Sequence, residues 1–479
     1  MSVRRPATGR RYSHAVDTDL MDLDAVSLVR RTTSGEVTAV ELVEASLARI
    51  AERDPGLNAF SVVRRDAALA EAAEVDARTE RGPLHGLPVA IKEELDVAGC
   101  VTTFGGRGNS TPATVDSEIV RRLRAAGAVV VGKTRMPEFG QWPFTESADG
   151  GITRNPWDPT RTPGGSSGGT AVAVAAGMVP VGIGGDGGGS IRVPSACCGL
   201  FGLKPQRGRA TTSPMEHLWW SLGTVGPLTR TVADSALVHD VIDGNLPGDR
   251  WTAEPPPTDF ATAAASEPGR LRVGVVTRGS SPLVRLDPVQ AEVVQEYAAL
   301  LTELGHEVRE LGGRLPDPTV AFLPQFFGGV RAEAEMVEHP ERLEPRTREV
   351  RRLGGWARRG VVERAIRAGE RLGDKVDERW FEGSDAVDVL LMPTLAHRPC
   401  EVGAVAGRAV TMMLRSLPVI DFCALWNITG HPAAAVPAGV GGDGLPHSVQ
   451  LVGRRHDEST LLSLSAQLER ARPWSMPVL

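Results

Sequence analysis

No stretch of this 479-residue chain stays apolar for the roughly 18 residues that a membrane-spanning helix needs. The nearest approach, "AVAVAAGMVPVGIGG" at 171–185, is broken by Pro180 and by glycines, so no membrane partner is expected. The N-terminus "MSVRRPATGRRYSHAVDTDL" is basic but has no apolar segment of the secretory kind. Cysteine is scarce. There are five, an odd number with no CxxC spacing, which excludes a disulfide framework and leads us to expect a reducing, cytoplasmic setting. Neither HExxH nor a clustered Cys/His spacing occurs, so no metal is expected. An excess of positive charge is missing too. Lys and Arg total 53 against 59 Asp and Glu, a formal net charge of −6, and nucleic acid is not an expected partner.

What is present alternates between two periodicities. In "TAVELVEASLARIAERDPG", Thr38 and Glu41 form a capping-box pair, and Val43, Leu47 and Ile50 recur at helical spacing. "LPVAIK" is a short apolar run of the buried-strand kind that ends on Lys92. "DSEIVRRLRAAGAVVVGK" predicts a helix capped by Asp116 and stopped at Gly127, then a strand. The alternation returns in "LRVGVVT", in the amphipathic 288–308 and in "DVLLMPT". This predicts an α/β fold in one large domain, 17–479, with a mostly β-sheet core covered on both faces by helices and with surface insertions. Residues 1–16 read as a loose tail, 244–270 as a surface connection, and the Arg- and Glu-dense 340–380 as solvated helices.

Two motifs fail on context. "GIGGDG" fits GxGxxG at Gly182, Gly184 and Gly187, but residues 187–215 hold no acid for a ribose, and "GGSIRVPS" reads as a poor helix start. No dinucleotide, and no other cofactor, is expected. "GSSGG" at 165–169 fits GxSxG, yet the proline-rich "RNPWDPTRTPG" before it cannot supply the strand that a nucleophile elbow follows.

Three separated pieces remain: Lys92 at its strand end, "PGGSSGG" at 163–169 and "GDGGGSIR" at 185–192. With "RTPGGSSGGTAVAVAAGMVPVGIGGDGGGSIRVPSACCGLFGLKP" (161–205) and the later "WNITGHPAAAVPAG", the chain resembles the amidase signature family. The resemblance implies that fold and a catalytic set of Ser190 as nucleophile, Ser166 as proton relay and Lys92 as base. It implies a small-molecule amide or carbamate substrate, with esters also open, and a homodimer is compatible with it. The glutaminase-type component of an amidotransferase complex is the alternative. The residue types suit the chemistry: a serine hydroxyl needs a base, and an uncharged lysine supplies one where no histidine is near. Glycine leaves backbone N–H groups open to a developing oxyanion, and Gly187, Gly188 and Gly189, with the Ser190 amide, are the expected donors.

Other residues carry smaller expectations. Asp186 and Arg192, similar to family positions that organise the loop, are expected to pair internally, and Ser167 to support the site with its hydroxyl. Glu93 and Glu94 are expected to point away from Lys92, because a carboxylate there would favour the charged amine. Cys197 and Cys198 read as buried packing. The aromatic segments "MEHLWWSL" and "FLPQFFGG" predict a pocket lined by Trp219, Trp220 and Phe326. One departure is Gly187, where the family commonly has threonine; the glycine is expected to widen the acyl pocket.

Overall fold

The computed structural model describes residues 18–404 and 406–477; the expected tail at 1–16 lies outside them. Every residue of the Pro88–Lys92 strand is buried, as its apolar run requires. The strand sits inside an eleven-stranded sheet, flanked in parallel by Val129–Thr134 and Val181–Asp186. Its side chains leave alternately to two faces: Val89 and Ile91 join one apolar cluster and Ala90 another. Val130 parts from Val129 and Val131 in the same way. The helices Ala39–Leu57 and Gly168–Ala175 cover mainly one face, and Ala25–Ser34, Glu118–Ala125 and Val232–Ile242 the other. Burial on both sides is why these strands read as continuous apolar runs.

Beyond Val181–Asp186 the sheet continues antiparallel through Thr224–Thr229, Phe201–Lys204, Ala433–Val440, Pro446–Gly453 and Val389–Pro393. Parallel pairing then resumes with Arg272–Val275 and Glu307–Glu310. The result is the expected α/β domain with a mixed sheet. Its topology also gathers the three pieces. The Gly168–Ala175 helix turns back at Gly177 to feed Val181–Asp186, which puts the helix N-terminus, with Ser166 and Ser167, at the sheet end where Lys92 and Asp186 finish.

Some local expectations hold and others change. Thr38 Oγ1 accepts the Glu41 N–H at 3.1 Å and Glu41 returns the bond to the Thr38 N–H, completing the capping box. The helix expected to be capped by Asp116 starts at Glu118 with Ser117 as its cap; Asp116 instead accepts the Ala98 N–H and pairs with Arg124. A helix does follow the glycine run, over Arg192–Cys198. Asp186 makes that start feasible by accepting the Ile191 and Arg192 N–H groups at 3.1 and 3.4 Å, and Pro194, in the first turn, lacks only an N–H that would have no helical partner. The connection 244–270 carries a short helix, Phe260–Ala265, capped by Asp259.

The charged region forms the helices Pro345–Leu353 and Arg359–Val376. It is tied to the body by buried Glu138, whose Oε2 accepts the Glu344 N–H at 2.9 Å. Burial pushes the Glu138 carboxyl up from 4.5 to about 7. The folded protein therefore keeps a proton that the unfolded chain has released. This contribution to stability is complete below the unfolded value and is lost as pH rises through about 7. Glu138→Gln is expected to remove up to about 3 kcal/mol of that pH dependence, so in urea unfolding the variant should gain on the unaltered protein between pH 5 and pH 8. An equal loss of stability in both proteins over that range would refute the assignment.

Candidate active site

Lys92, fully buried at its strand end, places Nζ 2.9 Å from Ser166 Oγ and 3.3 Å from the Gly185 carbonyl. The Gly165–Ser166 peptide is cis. Gly140, at φ +63°, lets the neighbouring chain approach, because a Cβ there would lie 3.0 Å from Ser166 Oγ. Ser190 is half-buried and lines a small cavity of about 30 Å³ together with Lys92, Ser166, Glu94 and Glu333. It also borders a larger cleft of about 430 Å³. The structure thus brings Lys92, Ser166 and Ser190 to one point from three separate segments of the chain. Ser167 Oγ donates to the Gly185 carbonyl at 3.2 Å, and its N–H to the Ser190 carbonyl at 3.3 Å.

The loop that carries Ser190 is held from below by charge. Asp186 Oδ1 accepts the Gly189 N–H at 2.7 Å and Oδ2 that of Ile191, so one carboxylate grips the chain on both sides of the serine. Arg192, with no exposed surface, meets Asp186 through Nε and a terminal nitrogen at 3.0 and 2.9 Å. It also reaches Asn427 Oδ1, Gln450 Oε1 and the Cys423 carbonyl. Burial alone would raise the Asp186 carboxyl, but Arg192, Lys204 and Asn427 overcome it and hold the group well below the usual carboxylate range. Asn427 Nδ2 also donates to the Asp186 and Leu222 carbonyls, tying the loop to the turn that bears Trp219. Sequence reasoning missed Asn427 and Gln450, although "WNITG" contains the first. They lie 235 and 258 residues from Arg192.

Four expectations are corrected here. Gly189 cannot offer its amide to an oxyanion, since Asp186 already takes it; no acceptor among the described residues takes those of Gly187, Gly188 and Ser190. Glu94 does not point away: its Oε1 is 3.1 Å from Lys92 Nζ. Glu93 behaves as expected, accepting from Thr103. Trp220 does not line the cleft. Trp219 and Trp220 both take left-handed backbone, φ +50° and +58°, which sends the two side chains apart; Trp220 stacks on His217 at 4.3 Å and faces Arg250. Trp219 does line it, and its ring covers Gly187, where a Cβ would be 3.3 Å from the indole. The space freed by the missing side chain is therefore filled, and the pocket is not widened there. Cys197 and Cys198 are buried, and burial pushes the Cys198 thiol well above its usual value, so they act as packing.

The large cleft is mostly apolar. Phe326 lines it as expected, with rings of Trp219 at 5.4 Å, Phe322 at 6.2 Å and Trp142 at 6.3 Å. Met413, Leu417 and Ile420, from the helix Ala409–Ile420, also line it. Among the described residues, its charged lining residues are Asp317 and Asp421, and no Lys, Arg or His lines it.

Known proteins share this sequence and architecture. The sequence profile of the Amidase family matches residues 41–462. AmiB2 of Mycobacterium tuberculosis, a putative amidase by name, is 47% identical over 464 residues, covering 96% of this chain and 98% of its own. A component of the glutamyl-tRNA(Gln) amidotransferase of Chloroflexus aurantiacus is 37% identical over 485 residues, covering 95% and 98%. The solved 6-aminohexanoate cyclic dimer hydrolase superposes with a TM-score of 0.89 at 31% identity, over 96% of this chain and 99% of that one. With one profile spanning most of its length and relatives matched nearly end to end, the chain belongs to the Amidase family, the amidase signature enzymes.

Proposed function

We propose that this amidase-family hydrolase cleaves the C–N bond of small amides with an apolar or aromatic acyl group, through an acyl-enzyme on Ser190. The observation that carries the reading is the contact of Lys92 Nζ with Ser166 Oγ at 2.9 Å beside Ser190, at the edge of an apolar cleft. Uncharged Lys92 draws a proton from Ser166, which takes one from Ser190 as its Oγ attacks the carbonyl carbon. The C=O electrons move onto oxygen, opposite the free N–H groups of Gly188 and Ser190, each worth about 3 to 4 kcal/mol to such a charge. Collapse breaks the C–N bond, and the relayed proton leaves on the amine. Water then attacks the ester by the same route in reverse. Carbamates and esters pass through the same tetrahedral charge and are also proposed substrates.

The glutaminase reading has the similarity to the amidotransferase component behind it. The cleft speaks against it. Glutamine carries a carboxylate, and among the described residues no cation lines the cleft to receive one; burying an unpaired charge costs several kcal/mol. Matched acyl amides, one ending in a methyl group and one in a carboxylate, test this directly. We expect the isolated chain to turn over the neutral amide, with kcat/KM about 10²-fold or more above the anionic one, the equivalent of ~3 kcal/mol, and to leave glutamine untouched. Glutamine turnover matching that of the neutral amide would reverse the choice.

A further inference from the structure

Two carboxyl groups face Lys92 that the acyl-transfer scheme does not use. Glu94 Oε1, 3.1 Å from Nζ, accepts no directed hydrogen bond, so the contact is charge against charge. Its side chain is largely shielded, with 14% exposed. Glu333, from the Thr319–Met336 helix, lines the same small cavity and leaves Oε2 without a partner. Burial pushes the Glu333 carboxyl well above its ordinary range; Trp219 and Lys92 oppose the shift and Glu94 adds to it. Burial thus opposes ionisation of Glu333 in this cavity.

The remaining charged groups near the cavity are already committed. Asp186, at the end of the adjacent strand, is satisfied by Arg192, Asn427 and backbone amides. Glu93 is turned to Thr103, and Lys133 to the Val101 carbonyl and Thr102. Lys204 donates to the Pro205 carbonyl. Among the described residues, Glu94 is the carboxylate in ion-pair contact with Lys92.

From this arrangement we infer that Glu94 is a positioning residue of the reaction: its carboxylate keeps the proton on Lys92 in the resting enzyme and so sets the pH at which the base is released. The inference rests on the reading of Lys92 as base. It adds a carboxylate whose removal raises activity at low pH. An opposite charge within about 4 to 6 Å favours the charged form by about one to three pH units. Glu94→Gln keeps the shape and deletes the charge. Glu333→Gln keeps the shape of the second carboxyl, whose ionisation burial opposes.

The test is the acid limb of the kcat/KM profile, which reports ionisations of the free enzyme, followed beside the rate of Ser190 labelling by a fluorophosphonate, which needs no substrate. For Glu94→Gln both limbs should move to lower pH by about one unit or more. For Glu333→Gln both should stay in place. A Glu94→Gln limb that stays put or moves upward overturns the inference and leaves the hydrolase reading standing. A protein unlabelled at Ser190 at every pH overturns both.

Discussion

Ser190→Ala should lose essentially all turnover, about 10⁴- to 10⁶-fold in kcat by comparison with other serine hydrolases. Ser190 is the hydroxyl residue that lines both the small cavity of Lys92 and Ser166 and the cleft. Ser166 faces the cavity alone, so it cannot take over the attack. Lys92→Ala removes the proposed base and should cost nearly as much. The double variant should be little worse than either single one, because residues that act as a unit are not additive. Substrate binding should survive in all three, since the apolar walls are intact. A Ser190→Ala protein that retained even a tenth of the activity would mean that another oxygen makes the attack.

Breaking the ion pair beneath the loop should have the largest effect on stability. Asp186→Ala leaves the Arg192 guanidinium with no exposed surface and no counter-charge, and stranding one member of a buried pair costs about 3 to 5 kcal/mol. The same substitution frees the Gly189 and Ile191 amides on either side of Ser190, so activity should fall together with stability. The sign of the pH dependence follows from the lowered carboxyl of Asp186. Its stabilisation is complete above the unfolded value of 3.8 and is lost as pH falls through the lower folded value. At pH 7 the full loss should therefore appear as a lower urea midpoint. A change of less than about 1 kcal/mol would show that the pair does not anchor the loop.

Much of this site is legible in the sequence, because its members sit on elements with strong local signals. The apolar run before Lys92 announces a buried strand, and the glycines around Ser166 and Ser190 announce backbone brought close to something. Glu93 and Glu94 lie in the turn after the strand, where no periodic pattern tells which of them meets Lys92. Other features have no local signal. A string of glycines does not reveal that the Gly189 amide turns inward to Asp186 while its neighbours stay open. Two adjacent tryptophans look equivalent until left-handed backbone at both sends one to the cleft and the other to His217 and Arg250. Asn427 braces the loop from 235 residues beyond Arg192, a distance over which only the folded chain makes the pairing visible.

Peptide mapping by mass spectrometry, after brief reaction with a fluorophosphonate or a slowly released acyl substrate, asks most directly where the covalent intermediate forms. We expect the added mass on the hydroxyl of Ser190 alone, and none in Ser190→Ala. An adduct on Ser166, on Ser167 or on a cysteine, formed at a rate that matches turnover, would contradict the assignment.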